Sequence, residues 1–215
     1  MLPHVGSRTI EVGAGIGTLS ELLLAQTAVA QLIVVEPARN LFPQLERRLS
    51  GNPRVTLVHG HIGDVPASTS ADSAILVNVL EHVENVAPFL AALRARLTSN
   101  GRLLVFVPAG PRLYGSLDEA FGHFRRYTKS LLAQSLIEAG FRVRVLRYFN
   151  LPGVLTWFAA GRIFRWRTLV VRDVTLYDRL VIPWISRLET LWPPPYGQSL
   201  IAVAERSGVR EAAQP

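Results

Sequence analysis

Short apolar runs alternate along this chain with segments in which apolar residues recur at helical spacing. Strand-like runs cover residues 8–12, 31–35, 54–59, 73–77, 102–107, 141–149 and 199–204. Helical spacing is found over residues 19–26, 41–49, 86–97 and 131–139, each between two successive strands. Strands that alternate with helices predict an α/β fold with a parallel, doubly wound sheet.

The alternation is interrupted once, between residues 150 and 198. This segment holds all four tryptophans of the chain, namely Trp157, Trp166, Trp184 and Trp192. Its arginines are Arg162, Arg165, Arg167, Arg172, Arg179 and Arg187. A connection of this length is uncommon as plain loop, so we expect a helical insertion, 150–198, that caps one edge of the sheet. Basic and aromatic residues together are also typical of a face that contacts a membrane surface, and this alternative stays open.

Composition narrows the classes to which the chain can belong. Its 215 residues suit a single domain with a sizeable core, spanning 1–215. The absence of cysteine excludes disulfides, thiolate metal sites and cysteine nucleophiles. A net charge of +7 could attract nucleic acid, anionic lipid or a phosphorylated substrate without choosing among them. Neither a membrane-spanning apolar run nor a signal peptide is recognisable, so we expect a cytoplasmic protein.

The segment EVGAGIGTLS, residues 11–20, stands where the first strand turns into the first helix. Glycines there let the backbone approach a nucleotide, and the helix N-terminus offers amide donors. A dinucleotide site would read G-x-G-x-x-G. Here Gly13, Gly15 and Gly17 give G-x-G-x-G, and Thr18 stands at the position of the third dinucleotide glycine.

Two acidic residues accompany this glycine loop. Glu36 ends the second strand, where it can accept hydrogen bonds from ribose hydroxyls, and sites for NAD and for S-adenosylmethionine both use an acid there. Glu11 directly precedes the loop. Its charge would repel the phosphates of a dinucleotide, but it would suit a ligand with a positive sulfonium and a free amino group. The loop therefore predicts S-adenosylmethionine as the cofactor.

Four segments together resemble the class I S-adenosylmethionine-dependent methyltransferases: EVGAGIG, VVEP, NVLEHVEN and GHFRRYT. The pattern is most similar to the small-molecule group that includes the ubiquinone-biosynthesis O-methyltransferases. The resemblance covers residues 8–149 and the last strand. It implies a Rossmann-like sheet of seven strands in the order 3-2-1-4-5-7-6, with strand seven antiparallel. The first segment is specific for the cofactor, and none of the four is specific for an acceptor.

The resemblance also implies which residues contact the cofactor. They are Glu11, Gly13, Ala14, Gly15, Gly17, Glu36, Pro37 and Asn78. Many relatives carry an Asp for the adenine amino group after strand three, but His61 holds that position here. The adenine contact is then expected from His61, from the Ile62 backbone, or from Asp64 if its side chain shifts towards the base. Relatives usually also carry helices before strand one, whereas seven residues precede it in this sequence.

A further departure from the family concerns metal binding. Ubiquinone-type enzymes bind a metal through E-x-x-E-H after strand four, where this chain reads Asn78-Val79-Leu80-Glu81-His82. The change removes one hard oxygen ligand, and two side chains rarely hold Mg²⁺. We therefore expect no metal.

Methyl transfer to a hydroxyl needs a base, because the oxygen loses a proton as it attacks the sulfonium methyl. His123 lies between strand five and its helix and is the first candidate for this base. His82, after strand four, is the second. Arg125 or Arg126 would hold an acidic or phosphorylated acceptor, and Tyr127 would hydrogen-bond it.

The same residues also have a structural interpretation. Asp118 and Glu119 would pair with the two arginines, His123 would fill space, and the Glu81-His82 pair would order a turn.

We expect an enzyme that transfers the methyl group of S-adenosylmethionine to a small organic acceptor, at a hydroxyl oxygen, and releases S-adenosylhomocysteine. One alternative is transfer to a carbon or nitrogen of a lipid-linked or glycosylated acceptor. The other is a non-catalytic module that binds S-adenosylmethionine. Nucleic acid is not an expected partner, because the Asn/Asp-Pro-Pro-Tyr/Phe motif of amino-methylating enzymes is missing. Pro193-Pro194-Pro195-Tyr196 lacks its acid or amide and is far from strand four.

Overall fold

The computed structural model describes residues 1–168, 180 and 182–207, and its seven strands form one sheet in the order β3-β2-β1-β4-β5-β7-β6. The strands are β1 (Arg8–Val12), β2 (Gln31–Glu36), β3 (Val55–His59), β4 (Ala71–Val77), β5 (Leu97–Pro108), β6 (Phe141–Phe149) and β7 (Ser199–Arg206). β7 pairs antiparallel with both β5 and β6, and the other neighbours are parallel. The predicted Rossmann-like sheet is confirmed.

Helices connect the strands on both faces of the sheet. They are α1 (Thr18–Gln26), α2 (Phe42–Leu49), α3 (Val86–Ala95), α4 (Ser116–Ala120), α5 (Lys129–Glu138), α6 (Leu151–Phe158) and α7 (Ile182–Leu191). Shorter helical turns cover Leu2–His4, Ile62–Asp64, Leu80–His82, Pro111–Leu113 and Ala159–Ile163. α3 ends earlier than its apolar spacing predicts, because Leu97 already pairs with Ala71 at the start of β5. In the described part of the chain, no helix is both long and apolar enough to cross a membrane.

Each face of the sheet carries its own apolar core. Leu76 and Leu103 point into one core, and their chain neighbours Ile75 and Leu104 point into the other. All four side chains are buried. Successive residues of a strand face opposite sides, so a sheet covered by helices on both faces needs continuous apolar strands. This explains the unbroken apolar runs of the sequence.

The described part of the insertion between β6 and β7 contains α6, the turn Ala159–Ile163 and α7, and hydrogen bonds join its first residue to its last. The Gln198 amide donates to the Asn150 carbonyl (3.1 Å), and the Asn150 side-chain amide donates to Gln198 Oε1 (2.8 Å). The Glu189 carboxylate of α7 accepts the backbone N–H groups of Asn150 (2.8 Å) and Leu151 (2.9 Å) at the start of α6. These bonds hold α7 to α6. Arg172 and Arg179 lie outside the described residues.

Candidate active site

The glycine loop follows β1 and lies against the residues that follow β4. Gly13 has a φ of +73°, and a Cβ atom there would lie 2.5 Å from Val79 Cγ2. Only glycine therefore allows the two loops to approach so closely. Gly15, with a φ of +58°, has no atom within 4 Å of the place where a Cβ would stand. The loop thus presents its backbone to open space at the carboxyl edge of the sheet.

Glu36, at the end of β2, holds this loop in shape. Its Oε2 accepts the Gly15 N–H at 2.7 Å, and its Oε1 accepts the Ala38 N–H at 2.8 Å. Each carboxylate oxygen can accept more than one hydrogen bond. Glu36 therefore keeps capacity for ribose hydroxyls while it positions the glycine loop and the residues around Pro37.

Glu11 is a buried carboxyl beside the same loop. Ser20 Oγ of α1 donates to its Oε2 at 2.6 Å. Burial raises the pKa of Glu11 to about 7, and the charge of Glu36 acts in the same direction, against the hydrogen bond from Ser20. A cationic ligand would relieve this unfavourable environment. Glu11, the open backbone at Gly15 and the spare capacity of Glu36 together fit S-adenosylmethionine.

The predicted adenine contacts lie on the turn Ile62–Asp64 after β3. Asp64 Oδ2 accepts the His61 N–H at 2.7 Å, so this carboxylate closes its own turn. The Arg96 side chain holds this turn in place by donating to the carbonyls of Val65 (2.7 Å) and Gly63 (2.9 Å). The Ile62 side chain belongs to the core and the His61 side chain is exposed. His61, the Ile62 backbone and Asp64 all stay candidates for the adenine contact, although Asp64 would have to shift from the turn that its Oδ2 closes.

A cavity of about 700 Å³ opens at the carboxyl ends of β4 and β5. Its lining comes from the sheet edge, from the loop before α5 and from the insertion: Asn78, His82, Phe106, Pro108, Phe121, His123, Arg126, Phe149, Asn150, Trp157, Ile182, Gln198 and Ser199. Asn78 adopts a left-handed conformation (φ +52°) where β4 ends, directly before Val79. Four large aromatic side chains, those of Phe106, Phe121, Phe149 and Trp157, share this lining with polar groups from seven other residues.

The central polar contact of this cavity joins His123 to Asp118. His123 Nδ1 lies 2.8 Å from Asp118 Oδ1, and Asp118 is fully buried. Burial alone would raise the pKa of Asp118, but the bond from His123 and the charge of Arg126 lower it, helped by Trp157 and the Gly115 N–H. An ionised Asp118 accepts the Nδ1 proton and leaves the Nε2 atom of His123 free. This is the arrangement of a carboxylate that orients a basic imidazole.

Arg126 and Trp157 complete the surroundings of Asp118. The Nε atom of Arg126 donates to Asp118 Oδ1 at 2.9 Å, and its Nη1 donates to the Ala109 carbonyl at 2.9 Å. Trp157 Nε1 donates to Asp118 Oδ2 at 3.1 Å, and the guanidinium of Arg126 lies 5.0 Å from the Trp157 ring. Because Trp157 belongs to α6, these contacts tie the insertion to the cavity.

His82 lies beside His123 in the lining of the cavity. Their rings meet edge to face with centroids 4.9 Å apart, and His82 Nδ1 lies 3.3 Å from the Gly122 carbonyl oxygen. Burial lowers the pKa of His82, and the neighbouring His123 lowers it further. His82 is therefore neutral at pH 7 and is suited to hydrogen bonding rather than to carrying charge.

Glu81 is buried beneath the two histidines. Within the described ranges, its two carboxylate oxygens are the only buried side-chain polar atoms without a hydrogen-bond partner. Burial raises its pKa to about 7, while the nearby His123 and Arg126 act against this shift. Glu81, His82 and His123 each offer a donor atom within 4.8 Å of the other two, close enough to hold a metal ion. The motif after strand four could not show His123 as a third donor.

Residues 10–103 match the family model described as a methyltransferase domain. The ubiquinone biosynthesis O-methyltransferase of Schizosaccharomyces pombe is 32% identical over 105 residues, which cover 46% of this chain and 37% of that protein. The ribosomal RNA small subunit methyltransferase A of Gloeobacter violaceus is 32% identical over 126 residues, 52% of this chain and 44% of that one. This chain spans less than half the length of these curated relatives.

A solved structure supports the same assignment at the level of fold. The S-adenosylmethionine-dependent methyltransferase of Mesorhizobium loti superposes with a TM-score of 0.65 at 14% identity, covering 96% of this chain and 94% of that one. Residues 10–103 of this chain therefore match a methyltransferase domain, and the fold is that of the class I S-adenosylmethionine-dependent methyltransferases. The cofactor predicted from the glycine loop is confirmed with it.

Of the three residues predicted to bind the acceptor of this methyltransferase, only Arg126 lines the cavity. Arg125 donates to the Glu84 carbonyl at 2.7 Å and so connects the loop before α5 to the residues after β4. Tyr127 is buried in the core, where its hydroxyl donates to the Leu80 carbonyl at 3.1 Å. This is a correction to the prediction for Tyr127, because a side chain enclosed by the core cannot reach an acceptor.

Sequence reasoning also missed residues that the methyltransferase fold brings to this cavity. The sequence pattern indicates Asp118 only as a partner for arginine. It lies five positions before His123, and α4 brings the two side chains together. Phe106 and Phe149 line the cavity from β5 and β6. Phe106 stands near the carboxyl end of a core strand, and this position is the signal that could have identified it. Nothing in the sequence connects Trp157 to Asp118, because that contact depends on how the insertion packs.

Proposed function

We propose that this methyltransferase transfers the methyl group of S-adenosylmethionine to a hydroxyl oxygen of a small aromatic or largely apolar acceptor, with His123 as the general base. The observation that carries the proposal is the bond between His123, which lines the cavity, and the buried Asp118. A hydroxyl must lose its proton on attack, and an imidazole oriented by a carboxylate is suited to take it.

The cofactor is held by the glycine loop and its two acids. The backbone from Gly13 to Gly17 would hold the methionine and ribose, Glu36 would accept hydrogen bonds from the ribose hydroxyls, and Glu11 would offset the positive charge. Bound in this way, S-adenosylmethionine supplies an activated methyl group. The protein then has to align the acceptor and exclude water.

The charges around His123 support its role as a base. The charged groups around His123 form a cluster. Above pH 7 it consists of two carboxylates, Glu81 and Asp118, and one buried guanidinium, Arg126. Its net charge is therefore −1, and it becomes neutral when His123 takes a proton. His82 stays neutral and can hydrogen-bond the acceptor oxygen beside His123.

The same charge balance argues against a metal at this cluster. A divalent cation would turn the net charge of −1 into +1 beside a cofactor that itself carries a positive sulfonium. Repulsion between the positively charged metal site and the sulfonium would weaken cofactor binding. We therefore propose metal-independent transfer, and activity that survives a chelator is the expected result.

The lining of the cavity supports an aromatic or apolar acceptor. Phe106, Phe121, Phe149 and Trp157 surround it, and pockets of this kind bury the flat face of a ligand while a few polar groups orient it. The charge of Arg126 is already paired with the buried Asp118, and two of its five N–H donors are used on Asp118 and the Ala109 carbonyl, so an acidic acceptor is not favoured. A phenolic compound is the acceptor class that fits these features best.

The test is a screen of phenols, alcohols and amines with methyl-labelled S-adenosylmethionine, read by mass spectrometry of the products. His123→Ala should lower kcat by ~10²–10⁴-fold on the accepted compound and leave cofactor affinity unchanged. His59→Ala serves as the matched control, because His59 stacks on Phe42 away from the cavity.

A product methylated on carbon or nitrogen would reject the hydroxyl assignment. Full turnover by the His123→Ala variant would reject the base. Tight cofactor binding without turnover on any acceptor class would favour a binding module, and methyl transfer to RNA would replace the small-molecule proposal.

A further inference from the structure

Exposed apolar side chains are concentrated in the insertion. Seventeen large hydrophobic residues are exposed in the described part of the chain, and eleven of them lie between positions 151 and 192. They are Leu151, Leu155, Phe158, Ile163, Phe164, Trp166, Leu180, Trp184, Leu188, Leu191 and Trp192. Single exposed apolar residues are ordinary, but such a concentration in one segment marks an interaction surface.

The orientation of α7 is set by its buried side. Ile185 is buried, and the Glu189 carboxylate is buried where it accepts the two N–H groups at the start of α6. Trp184, Leu188 and Leu191 are spaced four and three residues apart and are all exposed, with Trp192 next to them. The helix therefore turns an apolar face outwards, and its polar anchor prevents it from rotating to hide that face.

A basic and aromatic strip precedes the undescribed residues of the insertion. Residues 162–167 read Arg-Ile-Phe-Arg-Trp-Arg and are all exposed. The rings of Phe164 and Trp166 stack at 5.9 Å. Arg162, Arg165 and Arg167 line a cavity of about 330 Å³ together with Ser116 and Glu119. Among the residues that the structure describes, none forms an ion pair with these three arginines.

We propose that these two regions form a membrane-docking surface for anionic phospholipids. The insertion surface is defined here as residues 162–167 together with Trp184, Leu188, Leu191 and Trp192. Arginines on it would pair with lipid phosphates, while the aromatic and leucine side chains would enter the boundary between headgroups and acyl chains.

The charge of the protein favours an anionic partner, and the exposed apolar side chains favour a lipid surface, whose acyl boundary they can enter. The chain carries a net charge of +7. Within the described residues of the insertion, Glu189 is the single acid, and it is buried on the inner side of α7. The described part of the insertion therefore offers the exposed arginines of residues 162–167 and the exposed apolar face of α7, the two components of a basic amphipathic surface.

The inference goes beyond the proposed reaction and does not depend on it. None of the residues that define the insertion surface is assigned to the cofactor or to proton transfer. Docking can therefore be measured without the cofactor, and its failure would leave the proposed function untouched.

The experiment is co-sedimentation of the whole protein with vesicles of phosphatidylcholine containing 0 or about 30% phosphatidylglycerol, a content near that of acidic membranes. Binding should require the anionic lipid and should weaken as salt rises, because exposed charges are screened within about 10 Å at 0.1 M salt. The double variant Arg165→Gln/Arg167→Gln should bind about thirtyfold more weakly, the equivalent of ~1 kcal/mol for each arginine.

Two matched controls separate the insertion surface from general effects. Arg47→Gln/Arg142→Gln removes the same charge from exposed arginines elsewhere and should keep most of the vesicle binding. Leu188→Gln should lower binding several-fold, whereas Ile137→Gln on α5 should not, although the two side chains are 61% and 60% exposed. The proposal would be overturned if the two double arginine variants lost vesicle binding equally, or if Leu188→Gln and Ile137→Gln did so.

A measurement on the unmodified protein removes any dependence on how the variants fold. Brominated lipids should quench its tryptophan fluorescence, because Trp166, Trp184 and Trp192 would enter the lipid boundary. Absence of quenching and of sedimentation would refute docking. A dimer in analytical ultracentrifugation that Leu188→Gln converts to monomer, without vesicle binding, would show that a second copy of the chain covers the surface instead.

Discussion

Replacing Glu11 with glutamine should stabilise the free protein and weaken its binding of S-adenosylmethionine in the same variant. The glutamine side chain has nearly the same shape and keeps an oxygen that can accept the bond from Ser20 Oγ. What it removes is the ionisable carboxyl. Burial raises the pKa of that carboxyl from 4.5 to about 7, and the charge of Glu36 adds to the effect.

The size of the stability change follows from this pKa. Holding Glu11 ionised in the folded protein well above pH 7 costs about 3 kcal/mol. Because the pKa is higher in the folded state than in the unfolded chain, the folded state binds more protons between pH 4.5 and 7. Stability therefore falls as the pH rises through this range. Glu11→Gln should unfold at a higher urea concentration than the parent at pH 8, and the difference should vanish near pH 4.5.

Binding should change in the opposite direction. A sulfonium and an ammonium near Glu11 favour its ionised form, so the affinity of the parent for S-adenosylmethionine should rise with pH up to about 7 and then level off. Glu11→Gln should lose ~1–3 kcal/mol of binding free energy at pH 8 and most of this pH dependence. Calorimetric titration between pH 6 and 9 measures both effects.

Glu21→Gln is the matched control for this variant. Glu21 lies on α1 next to Ser20, and its side chain is 52% exposed and close to Arg48. It should change neither the stability nor the binding by a comparable amount. Unchanged cofactor affinity in Glu11→Gln would show that Glu11 is not part of the cofactor site. A loss of stability at pH 8 would refute the reasoning that ionised Glu11 destabilises the folded protein.

Three other perturbations test separate parts of the site. Glu36→Ala should weaken S-adenosylmethionine binding by ~1–3 kcal/mol in calorimetry, because it loses hydrogen bonds to the ribose and to the Gly15 N–H. Asp118→Asn should lower kcat on the order of 10²–10⁴-fold with unchanged cofactor affinity, because His123 loses its orienting charge; equal losses in both would point to a structural role. Gly13→Ala should lower the melting temperature, since its Cβ would stand 2.5 Å from Val79 Cγ2, and an unchanged melting temperature would contradict the close approach of the two loops.

The sheet could be predicted from the sequence because its physical requirements are local. A strand covered on both faces reads as an unbroken apolar run, and the turn that follows β1 needs glycine at positive φ. Both features are visible without knowing what packs on them. The end of α3 was missed by two residues, because the pairing of Leu97 with Ala71 depends on a neighbouring strand rather than on helical spacing.

The polar centre of the site could be predicted only in part, because its contacts are made across elements. His123 was recognisable as a candidate from its basic and aromatic surroundings. The bond to Asp118 needs the turn of α4, and the contact of Asp118 with Trp157 needs the folded insertion. Tyr127 was misassigned for the same reason, since its neighbours Arg125 and Arg126 are polar but its own side chain is directed into the core.

The two hydrogen bonds between Asn150 and Gln198 have an evolutionary consequence. Where a long excursion leaves and re-enters a sheet at one point, the chain between these points can be lengthened, shortened or exchanged while the strands on either side keep their register. Closing a longer connection costs little extra entropy. The insertion, with Trp157 and its outer apolar face, can therefore change in sequence and length independently of the sheet. Glu11, Glu36 and the glycine loop can stay unchanged meanwhile. A related protein could in this way gain a different acceptor specificity or a different location in the cell while its cofactor site stays the same.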